Sequence, residues 1–168
     1  MTSTSTQPLL FDLTLTDEQR MNRETMQRFA AAEIRDAAKE ADEAGETPAD
    51  FYQKTTELGL ALLPIPEALG GAGMTRSPVS NTLNAEDLAH GDLAMALGAL
   101  SPLAFVNTVL DQGSDPQREH YLPQFCTDQV MAATTALMEP RATFDPTELD
   151  CTASRTAEGF LLNGRKTM

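Results

Sequence analysis

The sequence predicts a mainly α-helical domain followed by the first strands of an antiparallel β-domain. Three observations carry that prediction. Apolar residues recur at helical spacing behind a capping signal at Thr16, and an Ala- and Leu-rich region follows from about Pro78 to Leu110. After about Val130 the pattern changes to short strand-like runs that close on Asn163-Gly164, a strong hairpin turn signal.

Residues 1–8 are polar and read as a frayed tail, and Phe11, Leu13 and Leu15 then alternate with polar residues as a short extended lead-in. Thr16-Asp17-Glu18-Gln19 has capping-box form, in which the Thr hydroxyl takes an orphan amide while Gln19 reaches back. Behind it Met26, Ala30, Ile34, Ala37 and Ala41 mark one face of a helix that stops at Gly45. Thr47-Pro48-Ala49-Asp50 opens a second helix with Pro48 at its first position, continued by Phe51, Thr55 and Leu58 to Gly59. Leu60–Leu63 is an apolar run closed by Pro64-Ile65-Pro66, and Glu67–Met74, with Gly70, Gly71 and Gly73, reads as a flexible turn-rich connector.

In the Ala- and Leu-rich region Val79, Leu83, Leu88, Leu93, Leu97, Leu100 and Phe105 are too dense for a one-sided surface helix. The expectation is buried helices broken near Gly91 and again at Ser101-Pro102. Asp115-Pro116 starts a short helix reaching Leu122-Pro123. Val130–Leu137 reads as a strand, as do the runs Cys151–Thr156 and Phe160–Leu162 on either side of Ala157-Glu158-Gly159. A third strand is expected to open at Arg165, just short of Met168, so the sheet reads as incomplete, with an unpaired edge.

Composition bounds the function. Of 168 residues 41% are hydrophobic and 22% charged, a globular proportion for a length that suggests one domain. Twelve Lys and Arg against 25 Asp and Glu leave a net charge of −13, which argues against a general nucleic-acid binder. No apolar run of membrane-spanning length and no signal peptide at the start are expected, and the protein is expected to be cytoplasmic. Cys126 and Cys151 read as reduced structural thiols, and His90 and His120 as packed or solvated side chains without metal-ligand partners. Glu86, Asp87 and His90, about one helical turn apart, read as a surface charge cluster. No Ser sits in a Gly-x-Ser-x-Gly elbow, and Gly70-Gly71-Ala72-Gly73 is neither a Walker loop nor a complete dinucleotide fingerprint.

Five segments in order resemble the acyl-CoA dehydrogenases. Pro66-Glu67-Ala68-Leu69-Gly70-Gly71-Ala72-Gly73 is similar to that family's Pro-Glu-x-x-Gly-Gly-x-Gly connector, and Asn84–Asp92 to the helix that follows it. Gly113–Pro123 resembles a Gly-(Thr/Ser)-x-x-Gln-(Lys/Arg)-x-x-(Tyr/Trp)-Leu-Pro stretch. Met138-Glu139-Pro140 stands where the family has Thr-Glu-Pro, and Leu161–Lys166 where it has an Asn-Gly-x-Lys hairpin. Together they span most of residues 13–168.

The resemblance implies residues 1–9 as a tail, 10–129 as the helical N-terminal domain and 130–168 as the opening of the middle β-domain, with the family's C-terminal four-helix bundle absent. It implies FAD as cofactor and oxidation of the Cα–Cβ bond of an acyl-CoA thioester to the enoyl-CoA. A carboxylate base takes the α-proton and the flavin accepts the β-hydride. That base commonly lies in the bundle, so none of these residues is assigned a catalytic role, and Glu139, in a Glu-Pro turn, is read as structural. By position Thr135, Leu137 and Met138 fall on the strand lining the flavin. Thr143 and Phe144 fall on the loop between flavin and the pantetheine-phosphate region. The sequence departs from the family at Met138, which replaces a flavin-bonding Thr, and at Arg141–Asp145, which replaces a Gly-containing loop. Implied partners are an acyl-CoA substrate, other dehydrogenase chains in a homo- or hetero-oligomer, and an electron-transfer flavoprotein. The alternatives are a non-catalytic subunit or interaction module with a degenerate flavin site, or an inactive fragment.

Overall fold

In the computed structural model the described residues are 14–167, so the tail, Phe11 and Leu13 of the lead-in, and Met168 lie outside them. The chain divides into two compact units, one taking in the chain to Leu58 with Met74–Leu100, the other Gly59–Gly73 with the chain from Ser101.

In the first unit the Thr16 signal works as expected. Its hydroxyl accepts from the Gln19 amide at 3.1 Å, and the Gln19 side chain accepts from the Thr16 amide at 3.0 Å. Helix α1 (Asp17–Phe29) runs through a π-helical turn at Ala30–Arg35 into α2 (Asp36–Ala44), where the Gly45 amide closes on Ala41 O. Met26, Ala30 and Ile34 are its buried stripe. Helix α3 (Phe51–Glu57) begins three residues later than Pro48 predicts. The Asp50 carboxylate pairs with Lys54 Nζ at 2.8 Å instead of capping, and Phe51 N bonds Pro48 O across a turn.

Helix α4 (Pro78–Ala89) starts on the Ser77 hydroxyl, which accepts from the Ser80 amide. A turn at Gly91 separates it from α5 (Leu93–Gln112), with Asp92 Oδ1 accepting from the Met95 amide at 2.9 Å. The expected second break is not there: Pro102 lies inside α5. Buried residues precede it (Met95, Ala96, Ala99) and follow it (Val106, Val109), and their packing outweighs the one backbone bond that proline removes. The density reading fails elsewhere, because Val79, Leu93 and Leu97 are exposed. The sequence reading also missed that α5 is long and apolar enough, by length and composition, to cross a membrane, a test that core helices pass as well.

The second unit has its core at Ile65, Val106, Val109, Leu122 and Phe125. Each fully buried aliphatic side chain there is worth about 1.5–3 kcal/mol relative to exposure. Helix α6 (Asp115–Tyr121) starts at Ser114, whose amide donates to Gln117 Oε1 at 2.8 Å, and continues as a 3-10 turn through Cys126. The glycine connector is a hydrogen-bonded knot rather than a flexible link: Gly71 N donates to Pro66 O, Ala72 N to Leu62 O and Gly73 N to Ile65 O. A Cβ at Gly71 would lie 2.1 Å from Ile65 O, so only glycine fits that crossing.

Val130–Leu137 pairs with no strand and is a correction to the sequence reading. Within it Met131 and Ala133 pack on the core while Ala132 and Thr134 are exposed. The two strand-like runs around Ala157-Glu158 pair: β1 (Thr152–Thr156) and β2 (Gly159–Asn163) are antiparallel, in register from Thr152 opposite Asn163 to Thr156 opposite Gly159, while Asn163-Gly164, where a hairpin turn was expected, leads into no paired strand. Arg165–Thr167 is not a ladder strand, but its Thr167 amide donates to Met138 O at 3.0 Å.

Candidate cofactor site

The residues expected to line a cofactor lie on the segment from Thr135 to Phe144. Thr135 is exposed, its Oγ1 3.4 Å from that of Thr108 on α5. Leu137 and Met138 are 47% and 50% exposed, an uncovered apolar ledge at the end of the extended segment. Their carbonyls are both engaged, Leu137 O by Lys166 Nζ at 3.0 Å and Met138 O by the Thr167 amide.

Immediately after the ledge, Glu139 is buried, at 2% exposure. Its carboxylate accepts from the amides of Asp150 at 2.6 Å and Cys151 at 2.9 Å and from Lys166 Nζ at 3.0 Å. Those two amides, then Lys166, hold its carboxyl down to about 2, well below the ordinary 4.5. With every oxygen engaged and no open surface, Glu139 is built to close a loop and not to take a proton from a substrate.

The loop it closes carries the other candidates. Thr143 is exposed and Phe144 half-buried. Arg141 donates to Glu148 O and lies 3.6 Å from the Asp150 carboxylate, while Asp145 Oδ1 accepts from the amide and hydroxyl of Thr147 at 2.8 and 2.7 Å. The structure thus brings Leu137 and Met138 to one hydrogen-bonded junction and places Thr143 and Phe144 on a separate turn-stabilised loop. At the far side of the junction a Cβ on Gly164 would lie 2.3 Å from Cys151 Sγ, so glycine there lets the Lys166 segment return to Glu139. Sequence reasoning noticed Lys166 only as part of the Asn-Gly-x-Lys motif and did not pair it with Glu139.

The remaining candidates resolve differently. Of the Glu86–Asp87–His90 set, Glu86 and His90 are exposed as expected, but Asp87 is not part of a surface cluster. Asp87 is 4% exposed, takes both the Nε and Nη2 of Arg23 at 2.8 Å, and accepts from Gln27 at 3.0 Å. The Arg23 pairing lowers its carboxyl pKa. Arg35 donates to His90 O at 2.6 Å, and its Nη2 lies 2.6 Å from His90 Nδ1. His120 packs edge-on against Tyr121. Cys126 and Cys151 are free thiols. Among the described residues no three of His, Cys, Asp and Glu gather to hold a metal.

A helical N-terminal region leading into a loop and an antiparallel hairpin defines a recognisable class. Residues 16–129 match the family described as acyl-CoA dehydrogenase, N-terminal domain, and the chain belongs to the acyl-CoA dehydrogenase family. Among its relatives, benzylmalonyl-CoA dehydrogenase of Aromatoleum aromaticum is 31% identical over 159 residues, covering 93% of this chain and 41% of that protein. The chain is similar in structure to a glutaryl-coenzyme A dehydrogenase in complex with glutaryl-CoA, with TM-score 0.76 and 26% identity, over 94% of this chain and 40% of that one. The FAD complex of PigA matches with TM-score 0.74 and 25% identity, over 93% and 41%. The chain spans about 41% or less of the length of these relatives.

Proposed function

We propose that this chain is the N-terminal portion of an FAD-dependent acyl-CoA dehydrogenase, supplying the flavin-facing edge of a site that oxidises the Cα–Cβ bond of an acyl-CoA thioester. The observation that carries the proposal is the exposed Leu137 and Met138, two and three residues past the exposed Thr135, with their backbone tied down by Lys166 and Thr167. Exposed apolar side chains on the same segment as a hydroxyl fit a flat ring system that is apolar on its faces and polar at its rim. When bound, the flavin supplies the hydride acceptor; these residues seat it and shield one face from water. Thr143 and Phe144 would border the same group from their loop. Glu139 is fully committed to the loop and is not offered as the base. The proposed partners are an acyl-CoA, further dehydrogenase chains and an electron-transfer flavoprotein.

Titrating the purified chain with FAD and following flavin fluorescence and absorption tests the reading. Saturable binding with a perturbed absorption band is expected, and unperturbed free flavin at all ratios would contradict it. A second reading, a non-catalytic module that docks on a homologous chain, draws on the exposed Phe160, Leu161 and Leu162 of β2. It predicts colourless protein that co-purifies with a full-length dehydrogenase.

A further inference from the structure

Two short motifs, Met138-Glu139-Pro140 and Asn163-Gly164-Arg165-Lys166, read as independent signals in the sequence, with Glu139 and Lys166 27 residues apart. In the structure they form one junction. Lys166 Nζ bridges Glu139 Oε1 and Leu137 O, each at 3.0 Å, so one ammonium grips both the buried carboxylate and the carbonyl of a ledge residue. The next residue along, Thr167, bonds Met138 O through its amide at 3.0 Å. Glu139 in turn anchors the amides of Asp150 and Cys151, the far end of the loop bearing Thr143 and Phe144.

We infer that Glu139 and Lys166 are positioning residues: together they form an ion-paired latch that fixes the backbone at Leu137-Met138 and thereby sets how a flavin is seated. Glu139 has no surface to offer a ligand and acts through the residues on either side of it. The inference rests on the flavin reading above and adds to it two residues that need not touch the cofactor. A carboxylate that served only to close the loop would need the two amides alone. The bridge from Lys166 to Leu137 O couples the latch to the ledge. Charge-assisted hydrogen bonds are the strong ones, and the Glu139 carboxylate that anchors this set is buried.

The test compares the wild-type chain with Glu139→Gln, Lys166→Met and Lys166→Arg. FAD affinity is read by fluorescence titration, the bound flavin's absorption envelope by difference spectroscopy, and exchange of the Asp150 and Cys151 amides by hydrogen exchange. Glu139→Gln and Lys166→Met are each expected to weaken FAD binding by roughly tenfold or more and to shift the bound-flavin band. Lys166→Arg, which keeps the cation, is expected to recover much of the affinity. Unchanged affinity and spectrum in Lys166→Met, even with faster exchange at Asp150 and Cys151, would overturn the inference and leave a loop clasp only. If the wild-type chain binds no FAD, the flavin reading falls and this inference with it; that outcome is distinct because no variant is needed to see it.

Discussion

At Glu139 a carboxylate that sequence reasoning set aside as structural is the most heavily engaged charged group of its loop. Its ordinary pKa of 4.5 falls to about 2 because two backbone amides and an ammonium all favour the ionised form. A depressed folded value gives a definite sign: the carboxylate's contribution is complete above about 4.5 and is lost as pH falls toward about 2. Side-chain carboxyl NMR should therefore place the Glu139 midpoint near 2, and a midpoint near 4.5 would mean that the latch does not form in solution. Met138 is the complementary case, a half-exposed apolar side chain where the family carries a hydroxyl. Met138→Thr is expected to tighten FAD binding or leave it unchanged, and marked weakening in a titration would contradict placing Met138 at the flavin. What could be read at this scale was local. The exchange of bonds between Thr16 and Gln19 spans three residues, and the sequence displays it outright. Asp87 was misread because its partner Arg23 lies 64 residues away, and i, i+3 spacing says nothing about which side of a helix faces the core.

Among the elements, α5 is where tertiary packing overrides a local rule. Proline inside a helix removes a backbone bond and crowds the preceding turn, at a cost of about 3 kcal/mol, which is why the sequence suggested a break at Ser101-Pro102. The helix continues because buried residues anchor it on both sides of Pro102, from Met95 to Val109. Since the native path is already helical at that position, Pro102→Ala should stabilise the chain by up to about 3 kcal/mol. Thermal melting would register this as a raised midpoint; a lowered one would mean that the proline ring's own packing matters more than the missing bond. The Val130–Leu137 segment teaches the converse lesson. Its apolar run suggested a strand, but a strand also needs a partner ladder, and local composition carries no information about one; Met131 and Ala133 pack on the core without that ladder. The hairpin of β1 and β2 was legible because its pairing is local, closed by the turn at Ala157-Glu158.

For the molecule as a whole, the change from helical spacing to strand-like runs told the fold class, helices followed by an antiparallel pair, although the first paired strand comes only at Thr152. The candidate site was only half legible. Leu137 and Met138 were singled out through a motif, whereas the bond between Glu139 and Lys166 joins segments that become neighbours only on folding. The central claim is that residues 135–144 form a flavin-facing edge seated on that latch. Hydrogen exchange of the wild-type chain with and without saturating FAD tests it most directly. Slowed exchange concentrated in residues 135–145 and at the Asp150, Cys151 and Thr167 amides is the predicted result. Protection confined to α1–α4, or no protection anywhere, would contradict it.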